Sequence, residues 1–397
     1  LVETAKLVIA ATALATISDA AGTDIDATDL SAIGAKTGGV VTVTNAIDIS
    51  GDHDEVKAAL VTTSSKVIAA TATVTISGTL STAAHSATLA AVAGATTGKV
   101  TATISGTAAV VDDIGTTSAT DTLTITVSDA ITVAQGDTIV NGTDASTVTF
   151  TTGISDTLAN LVNANNATNA TTTGIIQKDA DITISVSDNV GTAQSAINQA
   201  KIDSLNSMRL STSGTVEATL FGNIAMLKNL SNGKIGSYTY NVLDAASVSE
   251  LENIDGKTNI TTYNITGGIS DSSENIFDTN AVKAAVATLV SRDLDVGVTI
   301  TGTLNTTQVN AVLAITNYTG NLTATLSGSN SDLNALNSTT DDTVNITVTD
   351  GVSIANITTL ESKTSGSLSF SSGIADSLGN LAPGGVVNGN ITGAVTV

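Results

Sequence analysis

The sequence predicts a mainly β chain, an elongated β-solenoid of about fifteen coils of about 27 residues with short helical segments on one side. Three observations predict it. Short runs alternate β-branched with hydroxyl residues, an Asp or Gly recurs just after those runs, and the apolar inventory is aliphatic. Hydrophobic residues make up 41% of the 397 positions while aromatics make up 2%, with no Trp, no Cys and one Pro. Many small apolar groups and few large ones suit a thin core of stacked Val, Ile and Leu better than a thick globular one.

The strand-like runs come first. Val74-Thr75-Ile76-Ser77-Gly78, Ala102-Thr103-Ile104-Ser105-Gly106, Ile125-Thr126-Val127-Ser128-Asp129 and Thr147-Val148-Thr149-Phe150 all have period two. Their aliphatic side chains therefore fall on one face and their hydroxyls on the other. The acidic-or-glycine marker follows at Asp19, Gly51, Gly78, Gly106, Asp129, Asp156, Asp188, Gly214, Asp244, Asp271, Gly302, Gly328, Asp350, Asp376 and Gly393. Asp and Gly share a position naturally, because both cap helix N-termini and tolerate a left-handed backbone. A Leu stands eleven residues after several markers: Leu30, Leu89 and Leu313. The segments around the last two, Thr82 to Ala93 and Thr306 to Ile315, are expected to be helical. Glycine-bearing turns close the period at Lys36-Thr37-Gly38, Thr96-Thr97-Gly98 and Tyr318-Thr319-Gly320.

A single coil cannot bury its apolar face, since one aliphatic side chain gains only about 1.5–3 kcal/mol on full burial. The whole chain, 1–397, is accordingly expected to be one array, with an irregular junction at 201–234 that carries Met208, Met226, Lys201, Arg209, Lys228 and Lys234. The start at Leu1 without Met, already inside repeat-like sequence, reads as an excerpt of a longer chain.

Charge narrows the function classes. A net charge of −22 with 14 Lys and Arg argues against nucleic acid and against anionic lipid. No apolar run reaches the length of a membrane span. The two histidines are His53, inside Gly51-Asp52-His53-Asp54-Glu55, and His85. The first reads as a polar helix start rather than a metal cluster, and the second as a polar position in an Ala-rich helix. Neither a hydrolase elbow nor a Walker loop nor zinc spacing occurs. Four Phe, four Tyr and two Arg (Arg209, Arg292) leave little for a polysaccharide-cleaving groove, so no enzyme is expected.

Calcium is the cofactor the pattern allows. Asp19, Asp129, Asp156, Asp188, Asp244, Asp271, Asp350 and Asp376 could offer oxygen ligands along one edge, with Asp24, Asp26, Asp112 and Asp113 adding others. Structural capping is the competing reading, because Gly interrupts the series. The Thr-x-Thr strands also permit an ice-binding hydroxyl array, with simple β-propensity as the plain alternative. Asn-x-Ser/Thr sequons at Asn259, Asn264, Asn305, Asn317, Asn321, Asn345, Asn356 and Asn390 arise readily in so Asn- and Thr-rich a chain.

Two stretches carry a resemblance. Asp244-Ala245-Ala246-Ser247-Val248 followed by Leu251-Glu252-Asn253-Ile254-Asp255-Gly256-Lys257-Thr258 resembles repeats in giant surface proteins of marine cyanobacteria. Val348-Thr349-Asp350 followed by Leu360-Glu361-Ser362-Lys363-Thr364-Ser365-Gly366 is similar, and such repeats also resemble those in fibres of viruses infecting these bacteria. The resemblance implies a structural or adhesive protein of a bacterial surface layer or filament, or alternatively a virion fibre. It further implies an extracellular, cell-surface or virion-surface location, self-association into a filament or layer, contacts to surface glycans, and no catalytic residue.

Overall fold

A computed structural model describes residues 13–385 apart from 116, 119, 144–146, 232–235 and 258–259. It corrects the expected fold class. The chain is not a mainly β solenoid with minor helical segments but a mixed α/β structure, with parallel sheets and sixteen α-helices among the described residues. The reason lies in the connecting segments. They open on Asp, Thr, Ser or Asn caps and continue with Ala, Leu and Val at helical spacing, so they form helices of up to 13 residues, such as Ala83–Ala95 and Gln199–Ser211. A parallel α/β architecture is not tied to an extracellular or surface-layer setting, so those readings lose the argument that a β-coil stack lent them.

The described chain forms two compact units. The first comprises residues 1–188 and 204–217. Its six-stranded sheet runs in sequence order through Asp24–Asp26, Asp48–Gly51, Thr73–Leu80, Val100–Gly106, Thr122–Val127 and Thr147–Phe150, with every pair parallel. A smaller parallel sheet joins Ala15–Ile17, Val41–Val43 and Val67–Ile68. Ile154–Asp156 pairs with Ile184–Val186, and Ile184 and Ser185 pair onward with Val216 and Glu217. Register puts like on like: Leu80, Ile104, Ile125 and Val148 form a buried column. Thr79, Thr103, Thr124 and Thr147 form an exposed one beside it. Each module is thus one strand and, in most cases, one helix, and its aliphatic face is covered by the next module.

The second unit comprises residues 189–203 and 218–397. It repeats the pattern: Ile269–Ser272, Val298–Leu304, Leu322–Gly328, Thr343–Val348 and Leu368–Phe370 make a five-stranded parallel sheet in sequence order. Leu304, Leu326, Ile346 and Leu368 form its aliphatic column. Gly78 in the first unit and Gly302 in the second stand at a register break with φ of +76° and +99°, where an L side chain would be strained. Elsewhere in the second unit, Tyr240 packs between Tyr238 and Tyr263, with ring centroids 6.1 and 5.6 Å away. The stretch expected to be irregular, 201–234, contains most of the helix Gln199–Ser211, the strand Val216–Gly222 and the helix Ile224–Leu227.

Candidate functional site

The first N–H groups of a helix lack partners within it, and each needs an acceptor. Here the acceptor at the first helical position comes from the following module. Asp129 accepts from Ala108 N–H at 2.7 Å, Asp156 from Val133 N–H at 3.0 Å, and Asp188 from Leu158 N–H at 2.7 Å. In the second unit Asp244 accepts from Ile224 N–H at 2.8 Å and Asp271 from Val248 N–H at 2.9 Å. Asp350 accepts from Asn330 N–H at 2.7 Å and Asp376 from Ile354 N–H at 3.0 Å. Each of these N–H groups belongs to the residue that opens its helix. Seven of the eight candidate calcium aspartates therefore cap the helix before them. The eighth, Asp19, makes no side-chain hydrogen bond among the described residues.

Three of the seven also cap their own module. Asp156 accepts from Thr157 N–H and Asn160 Nδ2, both at 2.8 Å. Asp271 does the same with Ser272 and Asn275, and Asp376 with Ser377 and Asn380. Burial pushes the Asp156 carboxyl upward, but the bonds from Asn160, Val133 and Thr157 outweigh it and hold the group below the ordinary carboxylate range. Asp376, with the Asn380 bond first among its causes, is also held low.

Lysines serve the opposite helix ends. Lys66 Nζ donates to Thr37 O at 2.8 Å. Lys257 Nζ donates to Lys228 O at 2.7 Å and Leu230 O at 2.5 Å, and Lys363 Nζ donates to Leu336 O. In each case the carbonyl lies at or just past the C-terminal end of the preceding module's helix, where positive charge is favoured. The corner before the next strand is also repeated. In Thr96-Thr97-Gly98, Thr212-Ser213-Gly214 and Thr364-Ser365-Gly366 the first hydroxyl bonds a carbonyl of the preceding module and accepts from the glycine N–H. A Cβ on Gly98 would lie 2.2 Å from Ala72 O, so only glycine permits this approach.

Sequence reasoning missed a second set of carboxylates. Asp121 and Asp342 are buried and accept from Val100 N–H and Leu322 N–H, at 2.8 and 2.9 Å. Asp179 and Asp293 accept from Phe150 N–H and Ile265 N–H; burial, with Asp181 or Asp295 beside them, raises both carboxyls. Their signal was available as an Asp one to five residues ahead of a strand. The marker series, two residues past many strands, drew attention away from it.

The remaining candidates fall apart as sites. Asp52 and Glu55 form a reciprocal capping box at the helix His53–Val56, as the helix-start reading expects. His53 stacks on His85 with ring centroids 4.2 Å apart, its Nδ1 lies 3.1 Å from Asp54, and its Nε2 is buried without a hydrogen bond. His85 Nδ1 accepts from Ser81 N–H. The sequence gave no hint of this pairing, because it depends on two elements packing. Among the described residues no group of three or more His, Asp or Glu side chains gathers where a metal ion could sit, Asp24, Asp26, Asp112 and Asp113 included. No described helix is long and apolar enough to cross a membrane. Asn259, Asn390, Lys234 and the marker Gly393 lie outside the described residues.

No family model, curated protein or solved structure matches the chain.

Proposed function

We propose that the protein is a non-catalytic structural element that acts through contacts between copies. The observation that carries this reading is the use of its acidic side chains. Seven marker carboxylates hold one module on the one before, and the lysines of the motif hold the other helix ends. Chemical work calls for polar groups that converge on a cleft. Here they are distributed along the chain at module spacing, one per junction, which suits a mechanical role. The excess of negative charge fits a molecule kept soluble by repulsion until specific contacts form.

The test is negative-stain imaging of the purified chain with and without a chelator. The proposal expects ordered assemblies of many copies that persist in chelator. Isolated particles at every concentration, or turnover of a polysaccharide, would overturn it. Assemblies that dissolve in chelator would instead assign the marker aspartates to calcium.

A further inference from the structure

Two stretches of the chain are built alike but end differently. Ile154-Ser155-Asp156-Thr157-Leu158 in the first unit and Ile374-Ala375-Asp376-Ser377-Leu378 in the second share their residue pattern, and their aspartates make the same local bonds. In the first unit the next module covers the stretch. Ile184–Val186 pairs with Ile154–Asp156, Asp188 accepts from Leu158 N–H at 2.7 Å, and Leu158 is 7% exposed. In the second unit no described strand lies beyond Leu368–Phe370 and Ile374. Leu378 is 70% exposed, and its N–H has no acceptor among the described residues.

The missing complement is present elsewhere in the same chain. Ala15–Ile17 is an edge strand, paired on one side only, with Val41–Val43. Asp19 follows it by two residues, the spacing that separates Ile184–Val186 from Asp188. Leu14, just before the strand, is 76% exposed.

We infer that the exposed face at Leu378 binds the first described module of a second copy of this chain. Ala15–Ile17 of that copy lies parallel beside Ile374–Asp376, and its Asp19 accepts from Leu378 N–H. The contact copies the junction that the chain already makes at Asp188 and Leu158. Its two surfaces are different patches, so each copy keeps one of each free and addition continues head to tail. The inference rests on the structural reading above and names the surface through which copies meet. Because the copies carry −22 each, added salt should tighten the contact by screening their repulsion.

The experiment is sedimentation of the full-length chain as wild type, Asp19→Ala, Leu378→Glu and an equimolar mixture of the two variants. Both positions are exposed, and matching circular-dichroism melts establish that the variants fold. Wild type is expected to gain mass continuously with concentration. Asp19→Ala should weaken association about tenfold, the effect of losing one cap. Leu378→Glu, which sets a carboxylate against Asp19, should abolish it. In the mixture one intact face of each kind remains, so growth should stop at a one-to-one dimer. Association unchanged in both variants overturns the docking surface while leaving a structural role standing through other contacts. A mixture that forms no dimer overturns the stated polarity. Monomeric wild type at all concentrations, with no assemblies on the grid, overturns the surface and the structural reading together.

Discussion

Replacing Asp156 with Ala separates a module-to-module cap from an ordinary surface carboxylate. Asp156 is 8% exposed and accepts three hydrogen bonds, from Val133 N–H at 3.0 Å and from Thr157 N–H and Asn160 Nδ2 at 2.8 Å. Val133 is itself 7% exposed, so its N–H would be left buried and unpartnered, at a cost of about 1–3 kcal/mol. Losing the cap on its own helix adds about 0.5–2 kcal/mol. The variant should therefore lose about 2–4 kcal/mol in urea unfolding followed by circular dichroism. Asp156→Asn, which keeps an acceptor, should lose less. Asp376→Ala provides the internal control: the same bonds are made, but to the half-exposed Ile354, where water can replace the carboxylate. A loss below about 0.5 kcal/mol for Asp156→Ala, or an equal loss at the two positions, would refute the reasoning.

Three further outcomes follow from the same contacts. Asp179 has its folded pKa raised, so its contribution to stability is present at low pH and lost as pH rises through the folded value. Asp179→Asn should thus gain relative to wild type between pH 4 and pH 7 in thermal melts. Asp156, with its pKa lowered, acts in the opposite sense, and its contribution should disappear as pH falls below about 4. Gly98→Ala should cost about 2–3 kcal/mol, because the new Cβ meets Ala72 O at 2.2 Å; Gly94→Ala, with nothing within 4 Å and a helical position, should stabilise by about 0.5–1 kcal/mol. Lys257→Ala should lose about 2–3 kcal/mol by calorimetry, since it removes the donor shared by Lys228 O and Leu230 O in a site 8% exposed.

Much of the local structure was legible because period and turn chemistry are local signals. The strands at Thr73–Leu80, Val100–Gly106, Thr122–Val127 and Thr147–Phe150 fall on the alternating runs, and the helix Ala83–Ala95 covers the Leu89 segment. The fold class was misjudged because strand periodicity was given more weight than the capped segments between strands. Ala83–Ala95, with six alanines and a Thr82 cap, shows how much helix those segments hold. The marker aspartates were recognised as capping residues, but their target was not. A sequence shows that Asp188 recurs in register; only a fold that sets Leu158 N–H beside it shows that the cap crosses to the preceding module. Lys257 and Lys363 were visible in the motif for the same reason, and their carbonyl partners were invisible for the same reason. The His53–His85 stack had no sequence signature at all.

Amide hydrogen exchange by NMR tests the central claim most directly, reading the N–H of Ala108, Val133, Leu158, Ile224, Val248, Asn330 and Ile354 against that of Leu378. If carboxylates of following modules hold the first helical amides, the seven exchange slowly and Leu378, in dilute unassociated protein, exchanges fast. Seven amides that exchange as quickly as Leu378 would contradict the account.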